Sequence, residues 1–243
     1  MENKSLKYRK AESKDQEQLI DLTIQAFNGY NGRSLLESIF DISRIDFREI
    51  VRLLFESKIA NNEFDLNSYF VLEDQGEIVS CLAGWLEGAE EIESERLLPN
   101  MVLNWVGAEK WLEQRELIEK ASSLNLSRES GKIQVENMFL KQNFRGTSSF
   151  FKIYYRTVDQ LFNAHAEADV IQSRFFSSNK KAIRIARHIG YDVVGESSFD
   201  ISPLNKYFPN EGLVMTELKR EVFYSKNKSK SCLLYTSPSP RDA

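Results

Sequence analysis

Two cysteines and two histidines in 243 residues leave the chain without the material for a disulfide framework or a histidine-cysteine metal site. Cys81 stands in an apolar run and Cys232 in a polar tail, so no ligand spacing joins them, no metal is expected, and a reducing cytoplasm is the expected compartment. Long apolar runs are missing as well: none approaches the roughly 18 residues that a membrane span needs. The charged start from Met1 to Lys10 lacks the apolar stretch of a secretory signal, so no membrane partner is expected. No linker rich in proline, glycine and serine divides positions 1–225, which predicts one domain. Basic charge is also in short supply. Without Lys226, Lys228, Lys230, Arg241 and Asp242 there remain 28 Lys and Arg against 35 Asp and Glu, a net charge of −7 that argues against nucleic acid as a partner.

What is present is ordinary globular composition, 42% hydrophobic and 28% charged. Lys7 to Ala11 reads as a short strand, and Ser13-x-x-Gln16 as a capping box opening a helix through Leu19, Ile20, Leu22, Ile24 and Phe27. Residues 28–32 break that pattern, and helical spacing resumes from Leu35 to Ile59 as two pieces. Two apolar runs, 69–72 and 78–85, flank a turn at 73–77 and predict a hairpin. Residues 87–131 read as an inserted helical excursion, helical around 100–120. Then follow a strand at 132–140, an amphipathic helix at 148–165, a strand at 168–176, a helix at 179–189 closed by Gly190, and strands at 191–198 and 212–219. Phe151, Tyr154, Tyr155 and Val158 form an apolar stripe expected in the core, with Phe27 beside it. The stretch 226–231 reads as a disordered polar tail, and 232–243, running from Cys232 through Pro238 and Pro240 to Asp242, resembles a translated sequencing adapter and is expected to be an artefact.

Two segments carry a resemblance. Val135-Glu-Asn-Met-Phe-Leu-Lys-Gln-Asn-Phe-Arg-Gly-Thr-Ser148 is similar to the fourth strand and cofactor loop of the GNAT superfamily of acyl-CoA-dependent N-acetyltransferases. Ser177-Ser-Asn-Lys-Lys-Ala-Ile-Arg-Ile-Ala-Arg-His-Ile-Gly-Tyr191 resembles that family's Asn-x-x-Ala helix ending in Gly-Tyr. The order of elements agrees over residues 6–222, apart from the insertion. The resemblance implies an α/β (α+β) fold with a central mixed, mostly antiparallel sheet flanked by helices, and a helical insertion before the fourth strand. It also implies acetyl transfer from acetyl-CoA to a primary amine of a small molecule or peptide, in a direct ternary complex.

In that reading the cofactor site is Phe139, Leu140, Arg145, Gly146, Thr147, Ser148, Ser149 and Asn179, with the pyrophosphate on the free amides of a strand-to-helix turn. The resemblance makes Glu136 the general base, although strand alternation alone would also put a charged residue there facing solvent. It places a backbone amide near Leu140 at the thioester oxygen, where the fourth and fifth strands splay. Two positions depart from the family pattern. Phe150 replaces a small residue, and Ala186 replaces the tyrosine that protonates the departing thiolate, leaving Tyr191, Tyr155 or His188 as substitutes. Tyr30 and Trp85 are candidates for the acceptor pocket or for plain core. The exposed basic row Lys180, Lys181, Arg184 and Arg187 is a solvated face or a phosphate contact. Trp105 and Trp111 in the insertion offer an apolar face for a homodimer. The alternative to an enzyme is a degenerate binding or interaction module of the same fold.

Overall fold

The computed structural model describes residues 6–28, 32–90, 93–200 and 202–226; Tyr30 and the tail segments 227–231 and 232–243 lie outside the described residues. Seven strands form one sheet: β1 (Lys7–Lys10), β2 (Tyr69–Asp74), β3 (Glu77–Leu86), β4 (Ile133–Leu140), β5 (Val170–Phe176), β6 (Asp192–Ser198) and β7 (Gly212–Lys219). Their order is β1-β2-β3-β4-β5-β7-β6, antiparallel throughout except for β4 against β5. The mixed, mostly antiparallel sheet and the helical excursion before the fourth strand agree with the sequence reading.

Period-two alternation sorts the core into two layers. Tyr69, Val71, Ala83 and Trp85 face one side, where α1 (Gln16–Phe27), α2 (Leu35–Phe40) and α3 (Arg44–Glu56) pack. The inserted helices α4 (Leu97–Val106), α5 (Ala108–Glu113) and α6 (Arg115–Leu124) join this same layer. Phe70, Leu72, Ile133 and Val135 face the other side, under α7 (Ser149–Ala164) and α8 (Lys180–Ile189). The buried face of α7 is Ile153, Tyr154, Thr157, Val158, Leu161 and Phe162, a 3.6-residue stripe in which each fully buried Val or Phe contributes about 1.5–3 kcal/mol. Gly84 on β3 lets that helix come close: a Cβ there would lie 2.4 Å from Leu161 Cδ1. At its far end, Arg220 donates to the carbonyls of Phe162, His165 and Ala168 and lies over the Phe162 ring, so a cation closes the negative end of α7.

Several local expectations change. The box at the entry of α1 is built one residue earlier, with Asp15 accepting from the Glu12 amide at 2.7 Å, because Arg9 from β1 grips Asp15 and Glu73 together. The hairpin turn narrows to Gln75-Gly76, both at positive φ, which matches the strand twist better than a five-residue loop. Phe27 packs with Phe64 on the α1–α3 side, not with the α7 stripe. Trp111 is spent within the chain, stacked on Phe40 at 5.1 Å, which leaves Trp105 of that pair exposed.

Candidate functional site

The sheet opens at one place. β4 and β5 pair only at Ile133↔Ile171 and Gln134↔Gln172; beyond these both strands continue, to Leu140 and Phe176, without a ladder between them. A bulge in β4 accompanies the opening. Between Cys81↔Phe139 and Ala83↔Glu136 the fourth strand carries one extra residue, and Asn137 adopts φ 52, a left-handed conformation that asparagine tolerates. Lys141 N–H donates to Val79 on β3 at 2.9 Å, so by alternation the amide of Leu140 faces the opposite way, into the opening.

The chain then turns into α7 through an exposed loop. Gly146 takes φ +81, and a Cβ built on it would meet nothing within 4 Å, so the space above this backbone is open. Thr147 Oγ1 donates to the Phe144 carbonyl at 2.6 Å and accepts from the Ser149 amide at 3.2 Å, which locks the turn. Among the described residues no acceptor lies within hydrogen-bond distance of the amides of Gly146 and Ser148. Free amides at the start of a 16-residue helix form an anion-binding end. Arg145 is exposed beside them, its Nε donating to the Leu140 carbonyl at 3.1 Å. The Phe150 ring lies along its own helix, stacked on Tyr154 at 5.6 Å and edge-on to Phe151. It extends an aromatic row and does not stand over Gly146.

On the α7–α8 side a chain of hydroxyls closes the apex of the opening. Tyr154 and Tyr191 hydroxyls are 2.8 Å apart, Tyr191 and Ser173 3.3 Å, and Ser173 Oγ donates across from β5 to the Val135 carbonyl on β4 at 2.8 Å. Burial pushes the Tyr191 phenol up to about 12, so it holds its proton tightly. Ala186 is buried in the same layer, while His188 is exposed.

On the α1–α3 side the opening is filled by charge. Arg128, from the segment between α6 and β4, spends all five of its N–H donors. Nη1 and Nη2 bind Glu63 at 2.7 and 3.1 Å, Nε and Nη2 bind Glu136 at 3.2 and 2.7 Å, and Nη1 also reaches Ser94 Oγ at 2.7 Å. Its guanidinium lies over the Trp85 ring, 4.9 Å from the centroid. Trp85 Nε1 donates to Glu87, which also accepts from Ser94. Burial pushes both glutamates up. For Glu63 burial prevails over Arg128, and its pKa is raised; for Glu136, Arg128 and Arg174 together prevail, and its pKa is lowered.

Sequence reasoning therefore located the loop, the strand opening and the Glu136 and Trp85 positions, but not what surrounds them. Glu136 is neither solvent-facing nor free: the strand position is as expected, yet its carboxylate is ion-paired and its proton affinity reduced, the opposite of what a resting general base needs. Phe139 packs toward the α1–α3 layer, Leu140 borders the opening, and Asn179 caps α8 by accepting from Ala182 at 3.2 Å. The basic row of α8 is exposed. Arg128, Glu63 and Ser94 were missed, because residues 63, 94, 128 and 136 share no local spacing. Among the described residues there is no group of three or more His, Cys, Asp or Glu that could hold a metal, and no helix long and apolar enough to cross a membrane.

No protein-family model matches the chain, and no curated protein sequence matches it. Solved structures do match by shape. An uncharacterized protein from Bacillus halodurans superposes with a TM-score of 0.55 at 13% identity, covering 96% of this chain and 93% of that one. An N-acetyltransferase from Staphylococcus aureus gives 0.52 at 13% identity, covering 89% and 99%. A ribosomal-protein-alanine N-acetyltransferase from Brucella melitensis gives 0.51 at 13% identity, covering 88% and 99%. With the sheet order, the split between β4 and β5 and the bulge before it already described, this chain shares the fold of these solved structures, two of which are N-acetyltransferases.

Proposed function

We propose that this chain transfers an acetyl group from acetyl-CoA to a primary amine of a small molecule or peptide, in a ternary complex and in the cytoplasm. The observation that carries the reading is the open turn at Gly146, with free amides at Gly146 and Ser148 leading into α7, directly beside the split strands. The residues present fit the cofactor. The free amides of Gly146 and Ser148 and the Arg145 guanidinium would hold the pyrophosphate, with Thr147 and Ser149 locking the turn that presents them; Leu140 and Phe139 would border the pantetheine arm, and Asn179 would approach from α8. Acetyl-CoA supplies an activated thioester; the chain's own residues position it and handle protons. The inward-facing Leu140 amide is placed to donate to the thioester oxygen. An amine of pKa ~10.4 costs roughly 4–5 kcal/mol to deprotonate at neutral pH, so a proton acceptor is useful. Once Arg128 is drawn off them, the Glu63–Glu136 pair takes that role, with Trp85 as the apolar wall of the acceptor site. Tyr191, through its hydroxyl chain, is the candidate acid for the thiol.

Isothermal titration with CoA tests this. Binding below about 1 mM is expected; no heat at millimolar CoA would remove acyl transfer while leaving the fold untouched. A second reading, a binding module without turnover, is favoured by the Arg128 hold on Glu136 and by the tightly held proton of Tyr191. CoA binding without thiol release over a panel of amines, antibiotics and peptides would select it.

A further inference from the structure

Arg128 is held as a substrate would be held. Two carboxylates grip its head bidentately, the Ser94 hydroxyl takes one more donor, and the Trp85 ring covers the guanidinium. These are the parts of a recognition site for an organic cation. The cage also sits where an acceptor must lie, because Glu136 is two residues past the last β4–β5 pair, on the edge of the split. Its occupant comes from the irregular segment 125–132, and a cavity of about 330 Å³ reaches Arg128 from outside, bordered by Glu87, Glu93, Glu95 and Arg96. Arg96 is already paired with Glu93. The approach and the cage are thus both acidic, and with Arg128 withdrawn Glu63 and Glu136 would have, among the described residues, Arg174 as their one paired cation, 3.8 Å from Glu136.

We propose that the Glu63–Glu136–Trp85–Ser94 cage is the acceptor-amine site, that Arg128 occupies it as an internal pseudosubstrate, and that the acceptor is a compact cationic amine that enters by replacing it. The inference rests on the acetyl-transfer reading and adds to it the acceptor class and a self-blocking contact. Guanidinium suits the blocking role: it fills the cage yet stays protonated, so it is no nucleophile. A primary ammonium in the same place can lose a proton to the carboxylate pair and attack.

The test is to make the occupant reactive. In R128K the ε-nitrogen would take the caged position; on addition of acetyl-CoA its N–C bond to the acetyl carbon forms and the C–S bond breaks. Of the two protons that the ammonium gives up, one passes to the carboxylate pair and on to water and the other goes to the departing sulfur, so CoA leaves as the thiol. Peptide mass spectrometry should find one acetyl group at position 128, appearing at least tenfold faster than at any surface lysine. In parallel, R128A supplied with n-butylamine should regain thermal stability with the amine and release N-acetylbutylamine at least tenfold faster than the unsubstituted protein. If both variants bind CoA as the unsubstituted protein does, yet neither acetylates, the cage is not the acceptor site. If R128K loses CoA binding and R128A stays unfolded in butylamine, the Arg128–Glu63–Glu136 ion pairing is a structural support and the proposal is equally overturned. If the unsubstituted protein binds no CoA, the acetyl-transfer reading itself falls and takes this inference with it, an outcome that titration identifies before any variant is made.

Discussion

The two sides of the strand opening are built by opposite means. At the loop, residues 145–149 present backbone: amides of Gly146 and Ser148 without acceptors among the described residues, an exposed arginine, a glycine with empty space above it. At the cage, residues 63, 94, 128 and 136 present side chains that are buried and mutually saturated, with Arg128 at 2% side-chain exposure and Glu136 at 10%. The loop is ready for an anion and costs the fold little to leave empty. The cage is satisfied only while a cation fills it. An anion site made of amides can wait vacant because each free N–H near the surface finds water, whereas two buried carboxylates cannot wait without a counter-charge.

Removing the counter-charge should therefore give the largest effect. R128A leaves Glu63 and Glu136 facing each other in a dry setting, and breaking a buried ion pair in this way costs about 3–5 kcal/mol. Urea unfolding without amines would measure it; a loss under about 1 kcal/mol would mean that water or protonation already relieves the cage, and the contrast with the loop would collapse.

A smaller effect is expected when one carboxylate is neutralised and the cation stays. In E136Q, Glu63 still holds Arg128, so the stability loss should be about 1–3 kcal/mol, the cost of an impaired charged hydrogen bond. The pH dependence sharpens the point. Glu136 has a folded pKa below its unfolded value near ~4.3, so its stabilisation is complete above that value and is lost as pH falls through the folded pKa. Glu63, raised by burial, has the opposite sign: it takes up a proton more readily when folded, and its contribution favours the folded state as pH falls. Stability followed from pH 5 down to about pH 2 should drop less steeply in E136Q than in the unsubstituted protein. An unchanged acid limb would mean that Glu136 is not held charged by Arg128.

The same contrast explains how much was legible in the sequence. Elements of long period were read well: the α7 stripe, the hairpin, the helical insertion and the closing strands follow from alternation and 3.6-residue spacing, which are local. The loop was legible because a strand, a small-residue turn and a helix start are contiguous, so Arg145 to Ser149 could be named as one unit. Glu136 was found as a position, but its ion pair with Arg128 was not. Its proton affinity depends on Arg128 eight residues earlier and on Arg174 on another strand, and no pattern along the chain encodes that meeting. Trp85 likewise could be placed on a strand but not under a guanidinium. Glu63 lies beyond the end of α3 in a stretch without periodicity, and only Arg128, 65 residues further on, gives its carboxylate a role. Trp111 shows the same limit from the other direction: an apolar residue in an inserted helix reads as a free face until Phe40 is seen against it.

The smallest expected effect is also the one that separates the two sites without any substitution at the loop. Mobile ions screen exposed charges strongly, with a Debye length of about 10 Å at 0.1 M salt, and buried pairs much less. If the loop binds CoA phosphates through surface amides and Arg145, raising NaCl from about 0.05 to 0.5 M should weaken CoA affinity several-fold, since each such contact contributes only ~0.3–1 kcal/mol and is screened. Over the same range the stability difference between the unsubstituted protein and R128A should stay constant within about 0.5 kcal/mol, because its electrostatics are shielded from solvent. The two measurements, titration calorimetry and urea unfolding, draw on one protein stock and one salt series. A salt-insensitive CoA affinity would move the cofactor off the exposed loop, and a salt-sensitive R128A difference would open the cage to water; either result erases the distinction between a site that waits empty and a site that must be filled.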